Sequence, residues 1–266
     1  MQDAFKEKVL AGKVAFIAGA SSGINLGIAQ HFARHGAKVA IISRSAEKIA
    51  AAAKTMTDEG HEALGISADV RNFDSVDAAL KAAHDKFGKI DVVVSGAAGN
   101  FVAPALGMSS NGFKTVVDID LVGTFHVLRA SFQYLNRPGA SLISITAPQA
   151  VNPSLFQAHV CAAKAGINML TKCLAMEWGP AGVRVNAISP GPIAETEGML
   201  RLAGSPEAEK AIKARIALRD YGTKTDIADT ALFLSTPNAK YITGSIIDCD
   251  GGSKLGDAGA DALAGN

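Results

Sequence analysis

Short apolar runs rich in Val and Ile alternate with longer amphipathic stretches along the chain, and this alternation restricts the fold more than any other feature. Val14–Ala18, Lys38–Ser43, Ala63–Ser67, Asp91–Ser95, Ser141–Thr146, Arg184–Ser189 and Ser245–Asp248 read as buried strands. Between them Ile24–His35, Ala46–Glu59, Phe73–Phe87, Asn111–Leu135, Leu155–Trp178 and Thr225–Ser235 read as helices, the fifth stopped by Gly179-Pro180. Apolar strands separated by helices require a parallel sheet covered on both faces. The expectation is one α/β domain over residues 1–266, a doubly wound parallel sheet of about seven strands with helices on both faces. After about residue 253 the chain is rich in Ala, Gly and Asp, and is expected to be flexible or docked on a neighbouring subunit.

The balance of the 266 residues is that of a globular domain, with 48% hydrophobic and 19% charged. Lys and Arg number 26 against 25 acids, a net charge of +1, so neither nucleic acid nor an anionic membrane is expected as a partner. Cys161, Cys173 and Cys249 have no disulfide or metal-ligand spacing, which suits a reducing compartment and no metal. No apolar run is long enough to span a bilayer, and Met1–Gly12 does not read as a secretory signal. Ser253-Lys254-Leu255 spells a peroxisomal address, but Ala264-Gly265-Asn266 follow it at the end, so a cytoplasmic location is expected.

Gly19-Ala20-Ser21-Ser22-Gly23-Ile24 follows the first strand and opens the first helix. There the chain must turn tightly and bring backbone N–H groups at a helix N-terminus close to a pyrophosphate. Gly19, Ser21, Ser22, Gly23 and Ile24 are therefore candidate dinucleotide contacts. Asn25 stands where a third glycine is usual, with Gly27 close by. The second strand ends in Ser43-Arg44-Ser45, with no carboxylate for ribose hydroxyls. An arginine between two hydroxyls suits the 2′-phosphate of NADP(H), although a solvated arginine before a helix has the same sequence. Asp69-Val70 ends the third strand; Asp69 either meets an adenine ring or caps the next helix.

These ordered motifs resemble those of the short-chain dehydrogenase/reductase family over nearly the whole chain, which implies a Rossmann-type fold. Ser95-Gly96-Ala97-Ala98 stands where the family has Asn-Asn-Ala-Gly, Pro190-Gly191-Pro192-Ile193 follows the sixth strand, and Asp250-Gly251-Gly252 lies near the end. His159-Val160-Cys161-Ala162-Ala163-Lys164 matches the family's Tyr-x-x-x-Lys with Val160 in the tyrosine slot. The serine slot, thirteen residues before Val160, holds Ala147. Within the family the chain is most similar to peroxisomal-type 2,4-dienoyl-CoA reductases, through Ala97-Ala98-Gly99-Asn100-Phe101, Phe113–Asp120, Ala162–Gly166, Glu177–Pro180 and Thr196-Glu197-Gly198. The resemblance implies Asp120 and Lys164 as the catalytic pair. It implies Ala97, Lys164, Pro190, Gly191 and Ile193 as further cofactor contacts, Asn100 and Phe101 as substrate contacts, and a homotetramer.

The residues themselves leave alternatives. Lys164 is four positions from Val160, on one helix face, and is either a ribose ligand or a surface lysine. Asp118 and Asp120 cannot share a helix face, so one is solvated and the other turned inward. His159 is either an acid beside the substrate or structural, and Gln149 and Thr146, at the end of the fifth strand, are candidates for the thioester oxygen. Arg201–Lys224 carries six basic residues against three acids, which could receive CoA phosphates or form a solvated helix. Valine has no proton to give a carbonyl oxygen. The expected reaction is therefore NADPH-dependent reduction of a 2,4-dienoyl-CoA to a 3-enoyl-CoA, a route that needs no acid at residue 160. The rivals are a ketone or alcohol oxidoreductase with a substitute acid, and a non-catalytic NADPH-binding module.

Overall fold

The computed structural model describes residues 8–196, 199 and 205–260. Seven strands form one parallel sheet: β1 (Val14–Ala18), β2 (Lys38–Ser43), β3 (Ala63–Ser67), β4 (Val92–Ser95), β5 (Ser141–Ile145), β6 (Arg184–Pro190) and β7 (Ile246–Cys249). Their order is β3-β2-β1-β4-β5-β6-β7, with central registers such as Ile17 opposite Ile41 and Val94. Every residue of β1, β4 and β5 is buried, as a sheet covered on both faces requires.

One face is closed by α1 (Gly23–Arg34), α2 (Ala46–Asp58) and α8 (Lys224–Leu234), which bury Phe32, Ile49 and Ile227. The other is closed by α3 (Phe73–Phe87), α5 (Gly123–Ser131) and α6 (Ala158–Trp178), through Leu80, Leu128 and Leu174. The chain order reverses between β1 and β4, so a crevice opens at their carboxyl ends.

Two helices depart from the sequence expectation, and one of the two readings of Asp69 is excluded. The helix expected over Asn111–Leu135 is α4 (Ser110–Val117), a π turn over Asp118–Val122, α5, and a 3-10 turn over Phe132–Tyr134. The fifth helix starts at Ala158 rather than Leu155, because Phe156 has φ 64°, outside the helical region. Asp69 does not cap the next helix; the Asn72 side chain does, accepting from the Ser75 N–H at 3.0 Å. Residues 253–260 make contacts with their own chain. Arg215, at the end of α7 (Pro206–Arg215), pairs with Asp257 at 3.2 Å, and Arg219 donates to the Ala260 carbonyl at 3.2 Å. Ser253-Lys254-Leu255 forms a 3-10 turn whose Lys254 N–H donates to Asp250 at 2.8 Å, with Leu255 exposed. Among the described residues no helix is long and apolar enough to cross a membrane.

Candidate active site

Two adjoining cavities occupy the crevice and meet at Ala98. The smaller, about 540 Å³, is lined by Gly19, Ser21, Ser22, Ser43, Arg44, Ser45, Asp69, Val70 and Ala97. These residues come from the ends of β1, β2, β3 and β4, the positions chosen from the sequence. Lys48 joins them and was not foreseen: it sits one turn into α2, where the spacing reads as an ordinary solvated lysine. Its own N–H is bound by the Ser45 side chain at 3.2 Å, which fixes the start of the helix beside Arg44. Asp69 is tied to Arg71, and that hydrogen bond holds its carboxyl below the usual carboxylate range.

The cradle needs glycine. Gly19 has φ 80°, and a Cβ there would lie 2.6 Å from the Ala97 backbone. A Cβ on Gly191 would lie 2.6 Å from Asp250 Cα. Backbone that close to backbone leaves no room for a side chain, so glycine lets these loops pack together where they border the cavities.

The larger cavity, about 840 Å³, is lined by Gly23, Ile24, Asn100, Thr146, Ala147, Gln149, Lys164, Pro190, Gly191 and Ile193, with Met199, Ile212 and Ile216 across from them. Lys164 projects from α6 and is buried. Its Nζ lies 3.2 Å from Asp120 Oδ2 and donates to the Ile145 carbonyl at 3.2 Å. Asp120 is fully buried on the π turn, and its Oδ1 accepts from the Gly99 N–H at 2.7 Å. Asp118 faces outward and pairs with Lys114. Two positions apart on a helical turn, the two aspartates point to opposite sides.

Phe101 and His159 stand outside both cavity walls and pair with each other, ring centroids 4.3 Å apart. His159 is buried, and desolvation pushes its pKa below the usual imidazole value, against opposing contributions from the Phe101 backbone and Asp120. Gln149 lines the larger cavity and is held by Gln157 at 3.2 Å. Much of the basic excess after residue 200 is already committed to acids: Lys213 to Glu209 and Asp220, each at 2.9 Å, and Lys224 to Glu195 at 3.4 Å. That segment is thus closer to a self-paired face than to a phosphate receptor. Arg201, Glu197 and Gly198 lie outside the described residues.

A family model described as enoyl-(acyl carrier protein) reductase matches residues 19–254. The peroxisomal 2,4-dienoyl-CoA reductase of Rattus norvegicus, named as (3E)-enoyl-CoA-producing, is 43% identical over 94% of this chain and 86% of its own. That of Saccharomyces cerevisiae is 41% identical over 94% of this chain and 87% of its own. The chain belongs to the short-chain dehydrogenase/reductase family. Among solved structures, a short-chain dehydrogenase from Bacillus anthracis superposes with TM-score 0.80 at 37% identity, covering 91% of this chain and 96% of that one. A short-chain dehydrogenase/reductase from Serratia marcescens reaches 0.85 at 28% identity, covering 92% and 99%. Against the family pattern, Val160 is buried in α6 and Ala147 lines the larger cavity, so neither slot offers a proton.

Proposed function

We propose that this protein is an NADPH-dependent reductase of 2,4-dienoyl thioesters, forming 3-enoyl thioesters, with CoA as the carrier. The observation that carries the reading is the buried Asp120–Lys164 pair on the wall of a cavity whose tyrosine and serine slots hold Val160 and Ala147. The names of the rat and yeast relatives agree with it.

The cofactor fits the residues present. Gly19 and Gly191 let the turns after β1 and β6 close onto the Ala97 and Asp250 backbone at the cavity walls, and the smaller cavity gathers Arg44, Lys48, Ser43 and Ser45, with hydroxyls and cations suited to a 2′-phosphate. Gly19, Ser21, Ser22, Gly23 and Ile24 would hold the pyrophosphate, Asp69, Val70 and Ala97 the adenosine, and Lys164, Pro190, Gly191 and Ile193 the nicotinamide half. A bound dihydronicotinamide supplies the hydride that the far end of the diene accepts. The negative charge then spreads to the thioester oxygen. Gln149, just past the end of β5, has a second amide hydrogen to donate there, and one such donor is worth about 3 kcal/mol, whereas the Thr146 hydroxyl is engaged with the Lys164 carbonyl at 3.4 Å. Asp120 and Lys164 hold a water that protonates the α carbon, leaving the double bond between the next two carbons; solvent restores the proton. Asn100 lines the acyl path, and Phe101 with His159 backs it. No step draws on residue 160.

By the same family resemblance the enzyme is a homotetramer. The test is NADPH oxidation by the purified protein with a 2,4-dienoyl-CoA, with an acetoacetyl thioester and with no acyl substrate. Oxidation with the diene alone supports the reading. Brisk oxidation with the ketone and none with the diene overturns it in favour of a carbonyl reductase.

A further inference from the structure

Asn25 and Gly96 exchange residue types across two loops. The family pattern places glycine at the first position and asparagine at the second; this chain has the reverse. The structure gives the exchange a physical meaning. A Cβ on Gly96 would lie 2.3 Å from Asn25 Oδ1 and 2.6 Å from its Cγ. The Asn25 amide thus occupies the space into which a side chain at 96 would grow. Asn25 Nδ2 donates to the Gly96 carbonyl at 2.7 Å and to the Gly19 carbonyl at 3.3 Å. Two carbonyl acceptors on one side identify that atom as the nitrogen and turn Oδ1 the other way.

One side chain therefore ties the glycine turn after β1 to the loop after β4. The same loops touch again where Gly19 meets Ala97. Between these two contacts the cleft passes from one cavity to the other at Ala98. Asn25 is buried and lines the larger cavity together with Gly23, Ile24, Gly96 and Lys164. Its Oδ1 is buried without a hydrogen-bond partner. Burying an unpaired acceptor lowers stability, so packing alone does not account for an asparagine in this place.

We infer that Asn25 is a positioning residue for the nicotinamide half of the dinucleotide, and that it and Gly96 form one coupled clamp in which the amide is supplied by the helix rather than by the loop after β4. The inference rests on the proposed dinucleotide site. The clamp lies on the Lys164 side of Ala98, away from Ser43, Arg44 and Lys48. Loosening it should misplace the nicotinamide half and leave the adenosine half in place.

The experiment titrates NADPH and adenosine 2′,5′-bisphosphate into wild type, Asn25→Ala, Asn25→Gly, Gly96→Asn and the double variant Asn25→Gly/Gly96→Asn, with the melting temperature of each as a folding control. Asn25→Ala and Asn25→Gly should bind NADPH roughly tenfold more weakly, the loss of about one hydrogen bond, and bind the bisphosphate as wild type does. Gly96→Asn alone should be worse, because two amides compete for one space. The double variant should bind NADPH better than Gly96→Asn. Unchanged NADPH binding in both Asn25 variants overturns the inference, as does equal loss of both ligands, or a double variant no better than Gly96→Asn. A wild type that binds neither ligand overturns the dinucleotide reading itself.

Discussion

The Lys164 ammonium lies 3.2 Å from the Asp120 carboxylate, and both side chains are buried. Opposite charges so placed offset the cost of burying either one alone. They come from different elements, Lys164 from α6 and Asp120 from the π turn before α5. The Gly99 N–H holds the second carboxylate oxygen at 2.7 Å, which leaves the ammonium as the part of the pair that lines the cavity.

Removing either partner should stop catalysis while leaving the cofactor readouts distinct. Asp120→Asn keeps the shape but loses the charge, and Lys164→Ala loses the cation. Each should lower turnover on a dienoyl thioester by roughly 10²-fold or more, as loss of a proton-transfer group does. Lys164→Ala should also weaken NADPH binding, and Asp120→Asn should not. Steady-state rates together with NADPH titration check both statements. Turnover near wild type in Asp120→Asn would remove the aspartate from the proposed chemistry.

Cofactor choice should lie with Arg44. NADPH should bind much more tightly than NADH, and Arg44→Ala should lose most of that preference through weaker NADPH binding. Lys48 lines the same cavity, so Lys48→Ala should take a smaller share. Equal affinity of wild type for both cofactors would contradict the assignment.

The parts of this molecule legible in its sequence are those fixed by local chemistry. Strands such as Val14–Ala18 and Lys38–Ser43 have the expected bounds, because apolar β-branched runs between turn residues admit few readings. Gly19 was recognisable because a turn in that place requires left-handed backbone. The π turn at Asp118–Val122 was not, because an inserted residue preserves composition and hardly alters the apolar spacing. Two aspartates on opposite faces could be deduced; that Asp120 was the inward one came only from resemblance. Lys48 and the Asn25 clamp depend on contacts between segments far apart in the chain, which spacing along one segment does not encode. The contacts of residues 253–260 with Arg215 and Arg219 are of the same kind, since an Ala- and Gly-rich stretch carries little pattern of its own.

Acid should destabilise the protein through His159. Burial lowers its folded pKa below the unfolded value, so the native state binds fewer protons than the unfolded chain. The neutral ring is favoured above the unfolded value of about 6.5, and that stability is lost as the pH falls through the folded pKa. Urea midpoints should therefore fall between pH 7 and pH 5, and fall less in His159→Gln. Parallel pH profiles for the two proteins would show that other groups govern acid unfolding.

Association should be visible in solution. α4, α5 and α6 leave Phe113, Phe125, Met169 and Met176 exposed, apolar area that a second copy can cover. Light scattering at micromolar concentration should give about four times the chain mass, as the family resemblance implies, and Met176→Lys combined with Phe125→Lys should lower it. A wild-type monomer under those conditions would contradict the tetramer.

Selectivity should follow from what residues 147 and 160 lack. Reduction of a ketone places negative charge on oxygen and needs a donor there, whereas the proposed diene route ends with protonation at carbon. Ala147 lies on the cavity wall and Val160 is packed in α6, so neither position can supply that donor. The wild type should reduce a 2,4-dienoyl-CoA and be slow or inert on 3-ketoacyl thioesters. Restoring the family residues one at a time tests whether the loss is causal. Val160→Tyr should not improve diene reduction and should lower it, because a phenol must enter a site where valine is already 96% buried (4% exposed). Ala147→Ser adds one oxygen at the wall and should leave the diene rate within a few-fold of wild type. The double variant should gain ketone reduction only if Lys164 can serve the new tyrosine as well as Asp120. Product analysis completes the test: protonation at the α carbon predicts a 3-enoyl thioester, and a 2-enoyl product would place the proton elsewhere and require a different arrangement of the Asp120–Lys164 pair.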